Sequence, residues 1–138
     1  MTLSANNQNQ GEKSEIKFAN ICFCDYDYVV SKPLSTTDYD FIVDVNGNAY
    51  KVQVKSSNRK CEGGSRNVMI CKGTNGCGTK GKYPYPETSI DFFAVHDIEP
   101  DQWFMIPRSA TGDAQQIRLS YKENTKYCLL YTSPSPRD

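Results

Sequence analysis

Asp40, Gln53 and Lys55 are the residues of this chain whose types and spacing best suit a reaction. A hard cation such as Mg2+ takes carboxylate and carbonyl oxygens and leaves room for water and for phosphate oxygens of a substrate. Asp40 supplies a charged oxygen, the Gln53 amide a neutral one, and the backbone carbonyl of Val54 lies beside it. A lysine next to such an ion neutralises charge developing on a phosphorane and orients or deprotonates the attacking water. Glu15 offers a second carboxylate, able to hold metal through a water or to accept a proton. The set suits hydrolysis of phosphodiesters assisted by Mg2+ or Mn2+.

A hairpin must position these groups. Residues 39–56 form two alternating runs around Asn46-Gly47, and Asn-Gly between alternating apolar residues is a strong short-range hairpin signal. A two-residue loop pairs Val45 with Asn48 and sets Asp40 directly opposite Gln53. Phe41, Val43 and Val45 then share an apolar face with Tyr50, Val52 and Val54, while Asp40, Asp44, Lys51, Gln53 and Lys55 share the other with Ile42. Opposed Cβ atoms lie roughly 5 Å apart and diagonal ones about 7–8 Å, so Asp40, Gln53 and Lys55 fall within reach of one ion or one phosphate. Asp44 and Lys51 sit toward the turn, away from that point.

The rest of the chain supplies the frame. Residues 1–10 are rich in Asn, Gln and Ser and read as a disordered arm. Ile16, Ala19 and Phe23 follow helical spacing, predicting a helix from Gly11 to about Asp25 that carries Glu15. Residues 26–30 read as a strand closed by Lys32-Pro33, and residues 67–71 as a further strand. Residues 90–98 and 102–107 read as two strands at the buried centre of a sheet, joined by Glu99-Pro100-Asp101. Residues 115–127 allow a last strand. His96, the single histidine, lies on the Phe92/Ala94 face near that turn, where a structural role fits better than acid–base work.

At 138 residues the chain is long enough for one domain. It has no apolar run near the ~20 residues a membrane span needs, and no charged-then-apolar leader opens it. A membrane partner is therefore not expected, and an intracellular, cytoplasmic location is. Net charge is zero, but residues 51–82 hold eight basic side chains against Glu62 alone. Lys51, Arg59, Lys60, Arg66, Lys72, Lys80 and Lys82 are thus candidates for contacting a polyanion such as DNA. Residues 76–83 nearly match a phosphate-binding loop, but Tyr83 replaces the Ser or Thr that holds Mg2+, and Pro84 and Pro86 forbid the helix that must follow. The six cysteines include no Cys-x-x-Cys pair, the spacing most zinc sites use.

The ordered set of Gly11…Glu15 opening a helix, residues 39–43, Gln53-Val54-Lys55-Ser56 and residues 90–95 resembles the PD-(D/E)XK nucleases, and within them the group I intron-associated homing endonucleases. The resemblance covers roughly residues 11–107. It implies an α/β fold in the broad sense, an α+β mixed sheet with a restriction-endonuclease-like αβββαβ core. It also implies a divalent metal held at Asp40, Gln53, the Val54 carbonyl and Glu15, and cleavage of double-stranded DNA, often by a homo-oligomer (dimer or tetramer). Gln53 departs from the Glu or Asp of most of the superfamily, and the homing branch is similar to this chain in using Gln there.

Other functions stay open at the level of sequence. They are a junction resolvase or restriction-like nuclease, a DNA-binding module whose site has decayed at Gln53, and a small zinc domain built on Cys61, Cys71 and Cys77. Residues 128–138 resemble the in-frame translation of a sequencing adapter, which predicts a single nuclease-like domain over residues 11–127, cut short at its C-terminus, followed by a non-native tail.

Overall fold

The turn at Asn46-Gly47 sets the centre of the fold. Asn46 has φ 54° and Gly47 φ 92°, the paired left-handed conformations that match a two-residue loop to the twist of its strands. A Cβ at position 47 would meet open space, so the glycine answers to backbone conformation alone. Asp44 locks the turn, its Oδ1 accepting the Gly47 N–H at 2.8 Å. The flanking strands are β2 (Phe41–Val45) and β3 (Asn48–Ser57), paired from Phe41↔Val52 to Val45↔Asn48 in the expected register.

The protein's structure is a computed structural model that describes residues 3–57, 66–73 and 82–119. Strand β1 (Val29–Ser31) joins β2 antiparallel, with Ser31 opposite Ile42. On the far side of β3 lies β7 (Phe92–Asp97), parallel to it, and β8 (Gln102–Pro107) closes the sheet antiparallel to β7. The order is β1-β2-β3-β7-β8. This is a mixed sheet in an α+β fold.

Side-chain alternation gives the sheet two apolar faces. Helix α1 (Leu3–Asn20) covers one, with Phe18 and Cys22 packed on Phe41, Val43, Val52, Val54 and Ala94. On the other face Phe93, Val95, Phe104 and Ile106 pack against Val68, Ile70, Tyr85, Ile90, Ile117 and Leu119. Val68, Ile117 and Leu119 come from an antiparallel ribbon of β4 (Arg66–Met69) and β9 (Gln116–Leu119). A second ribbon pairs β5 (Cys71–Gly73) with β6 (Lys82–Pro84). Strand β7 feeds both clusters and is buried from Phe93 to Asp97, which explains its unbroken apolar run. Each fully buried Phe or Ile contributes about 1.5–3 kcal/mol.

Two sequence expectations are corrected. The helix begins at Leu3, so the segment read as an arm is helical from that residue. Propagation from an established helix needs only one bond per residue, and modest propensity suffices. The helix then ends in a single wide π-turn over Ile21–Asp25. Strand β8 is an edge strand of the five-stranded sheet, with alternating burial, and only β7 is central. Between β3 and β7 the described residues hold the short strands β4, β5 and β6. The last described strand, β9, pairs with β4 and not with the main sheet.

His96 has the structural role expected. It is fully buried on the α1 face, its Nδ1 2.9 Å from Ser14 Oγ and its Nε2 2.7 Å from Asp101 Oδ1. Its ring stacks on Trp103 at 4.4 Å and 11°. The three residues tie α1, β7 and the β7–β8 turn together, on the sheet face opposite to Lys55.

Candidate active site

Asp40 stands where the β2–β3 ladder stops. The last paired residues are Phe41 and Val52, and the Asp40 N–H donates to the Val52 carbonyl at 2.9 Å. Unbroken register would have paired Asp40 with Gln53. The one-residue step is what a β-bulge makes, and a bulge re-aims the side chain at the step. The carboxylate accordingly passes Gln53, and its Oδ2 accepts the Val54 N–H at 2.9 Å. The direct opposition of Asp40 and Gln53 expected from sequence is thus replaced by contact with the strand's backbone.

That contact has a consequence for Val54. Within a strand, one residue's N–H and C=O leave on the same side. The Val54 carbonyl therefore also faces the β2 side, beyond the point where β2 has ended. Asp40 and this carbonyl share one edge.

Lys55 follows on the opposite face of β3. Its Nζ donates to Tyr85 Oη at 3.1 Å and lies 5.2 Å from the Tyr85 ring centroid. Tyr85 is buried and meets Phe93 edge-on at 5.8 Å. Arg108, also buried, fixes the Tyr85 backbone by donating through Nε to its carbonyl at 2.9 Å, and holds the Gly112 carbonyl and Thr111 Oγ1 through Nη1. Gln53 is half-buried on β3 between Val52 and Val54.

Glu15 arrives from α1. Its Oε1 pairs with Lys32 Nζ at 3.2 Å, and Lys32 Nζ sits 5.4 Å from the Phe41 ring centroid. The four charges act on one another through Asp40. Burial pushes the Asp40 carboxyl above its ordinary value, the Val54 N–H draws it back, Glu15 pushes it up, and Lys55 and Lys32 pull it down. The carboxyl ends above the usual aspartate range, with burial as the leading cause.

The structure thus brings Asp40, the Val54 backbone, Lys55 and Glu15 into one electrostatic unit. It adds Lys32 and Tyr85, which the sequence did not single out. Lys32 was legible only through the β1–β2 pairing, since Ser31↔Ile42 carries the next residue toward Phe41. Tyr85 lies in a Pro-Tyr-Pro run that reads as loop. Of the basic candidates, Lys51 is engaged by the Thr88 carbonyl at 2.9 Å and the Tyr39 ring. Arg66, Lys72 and Lys82 fall on β4, β5 and β6, and Arg59, Lys60 and Lys80 lie outside the described residues. So do Cys61, Cys77 and most of the phosphate-loop-like stretch.

The donor set is compatible with a divalent ion. All of it is hard oxygen, and a dication relieves the repulsion between Asp40 and Glu15. Among the described residues no group of three or more His, Cys, Asp or Glu is placed to hold a metal. Two carboxylates would therefore need amide and carbonyl oxygens to complete a site, the role expected of Gln53 and Val54. Of the described cysteines, Cys22 and Cys71 are buried and Cys24 is exposed, and burial pushes the Cys22 thiol up to about 12.

The profile of the PD-(D/E)XK endonuclease family matches residues 5–130. This chain belongs to that family. Its fold is similar to that of a bacterial homing endonuclease, I-Ssp6803I, with a TM-score of 0.67 at 22% identity over 89% of this chain and 82% of the other. MepB is a weaker match, with a TM-score of 0.44 at 12% identity over 82% and 85% of the two chains, too distant to carry an argument. No curated protein matches the chain. Among the described residues no helix is long and apolar enough to cross a membrane.

Proposed function

We propose that this member of the endonuclease family is a Mg2+- or Mn2+-dependent DNA endonuclease of the homing type, cutting double-stranded DNA at Asp40, Glu15, Gln53 and Lys55. The observation that carries the reading is the Asp40 carboxylate pinned to the Val54 N–H at 2.9 Å, one residue before Lys55. The homing assignment is supported by Gln53 in place of an acid and by the fold shared with a homing endonuclease.

Asp40, Glu15, the Gln53 amide oxygen and the Val54 carbonyl would hold the ion. When bound, it supplies Lewis acidity at the phosphate and lowers the pKa of water. The remaining work belongs to the chain. The Val54 N–H fixes the Asp40 carboxylate in one orientation, so that little ordering cost remains when substrate arrives. The Lys55 ammonium has three N–H donors. Tyr85 Oη takes one, which leaves two for an attacking water and a non-bridging phosphate oxygen. Arg108 holds Tyr85 from behind, and through it the lysine.

The test is cleavage of supercoiled plasmid, linear duplex and four-way-junction DNA in parallel, each with Mg2+, Mn2+ or EDTA. The proposal expects duplex cleavage that EDTA abolishes. Cleavage confined to the junction would assign a resolvase, and DNA binding without any cleavage would assign a decayed module.

A further inference from the structure

Among the described residues, Lys32 is the cation that pairs with Glu15 from outside the reacting strand. Its ammonium stands 3.2 Å from Glu15 Oε1, and its charge also acts on Asp40. The Lys32 side chain is 67% exposed and Glu15 28%. Its stem borders a hollow lined by Ala19, Phe23, Val30 and Phe41, and its ammonium lies near the ring of Phe41, the residue after Asp40.

Two carboxylates, Asp40 and Glu15, are thus balanced by two lysines, Lys32 and Lys55. Only one of those lysines is anchored. Lys55 is half-buried and bonded to the buried Tyr85, whereas the Lys32 ammonium is itself exposed and pairs with a half-buried Glu15, and ion pairs with an exposed member hold weakly. Lys32 would compete with a dication held beside Asp40 for the Glu15 oxygen, and its ammonium would be repelled by that charge.

We propose that Lys32 is the resident counter-ion of Glu15, displaced when a divalent ion binds and then free to contact a phosphate of the bound DNA strand. The inference rests on the metal-dependent reading above and deepens it. It makes two predictions of opposite sign for one exposed side chain. Without Lys32, metal binds more tightly because it has no competitor, and DNA binds more weakly because a phosphate contact is gone. A lysine that merely stabilises the fold or serves as a general DNA contact would not produce both.

The experiment uses the full chain and the variants Lys32→Gln, Lys32→Arg and Asp40→Ala. Free Mn2+ is counted by paramagnetic resonance during titration without DNA. Binding of a random-sequence duplex is read by fluorescence anisotropy in Ca2+ and again in EDTA. Lys32→Gln is expected to bind Mn2+ roughly two- to fivefold more tightly, the range of a lost exposed ion pair. In Ca2+, but not in EDTA, it is expected to bind DNA more weakly, with a salt slope reduced by about one. Lys32→Arg is expected to restore both. Unchanged or weaker Mn2+ binding by Lys32→Gln, or an equal loss of DNA affinity in Ca2+ and EDTA, overturns the inference while leaving the metal site intact. If wild type and Asp40→Ala both fail to bind Mn2+, the metal-dependent reading falls, and this inference with it.

Discussion

The carboxylate of Asp40 accepts the backbone N–H of Val54 at 2.9 Å across the end of a ladder whose last pair is Phe41↔Val52. The aspartate therefore does the work of the missing next residue of β2, satisfying an edge N–H while presenting its other oxygen. Burial and Glu15 make that ionised carboxylate costly to hold in the folded chain.

Asp40→Asn should consequently stabilise the metal-free protein. The carbonyl oxygen of Asn still accepts the Val54 N–H, and the buried charge is gone. The folded-state pKa of Asp40 is raised above its ordinary value of 3.8. Its stabilising contribution is therefore present below 3.8 and lost as pH rises through the folded value. Thermal melts in EDTA should show the variant melting above wild type at neutral pH, with the gap closing in acid. A lower melting temperature at neutral pH would contradict this. Cleavage should be lost in the same variant, a trade of stability for function.

Asp101 has the opposite sign. The hydrogen bond from His96 holds its carboxyl below the usual aspartate value, with Lys17 adding in the same direction. Its contribution is present above the unfolded value and is lost as pH falls through the lowered folded one. Asp101 has φ 54°, a conformation Asn also tolerates, so Asp101→Asn removes charge without backbone strain. Urea melts should find the variant less stable than wild type at neutral pH and the difference shrinking below pH 3.8.

Tyr85→Phe isolates the hydroxyl that receives Lys55. The ring keeps its packing on Phe93, so the melting temperature should change little. Cleavage should slow by about tenfold, the value of one hydrogen bond near 1.4 kcal/mol, with DNA affinity unchanged.

Arg108→Ala tests the support behind that tyrosine. It leaves the carbonyl of the buried Tyr85 without its donor, and a buried acceptor left without a partner costs about 1–3 kcal/mol. Equilibrium denaturation should report a loss of about 1–3 kcal/mol.

The hairpin was legible because its signals are local. Asn46-Gly47 fixes the loop, alternation fixes the faces, and the register from Phe41 to Val45 follows from both. Parallel pairing of β3 with β7 is consistent with the apolar run at residues 92–95, which sequence could read as buried but not align. The step at Asp40 was not legible. A bulge depends on where the partner strand's carbonyls point, and no residue type marks it here. Lys32 and Tyr85 escaped for a related reason: each reaches the site across a long-range contact, from β1 and from the loop after β6, and in sequence both look like turn residues beside proline. His96 was read correctly as structural, while its partner Ser14, next to Glu15 on α1, had no signal apart from the fold itself.

The most direct test of the account is single-turnover DNA cleavage by wild type and Lys55→Ala in Mg2+, with duplex binding measured alongside in Ca2+. The account predicts that the variant's cleavage rate falls by about 10²–10⁴ while its DNA affinity stays close to wild type. Cleavage by Lys55→Ala at the wild-type rate would show that the reacting groups lie elsewhere.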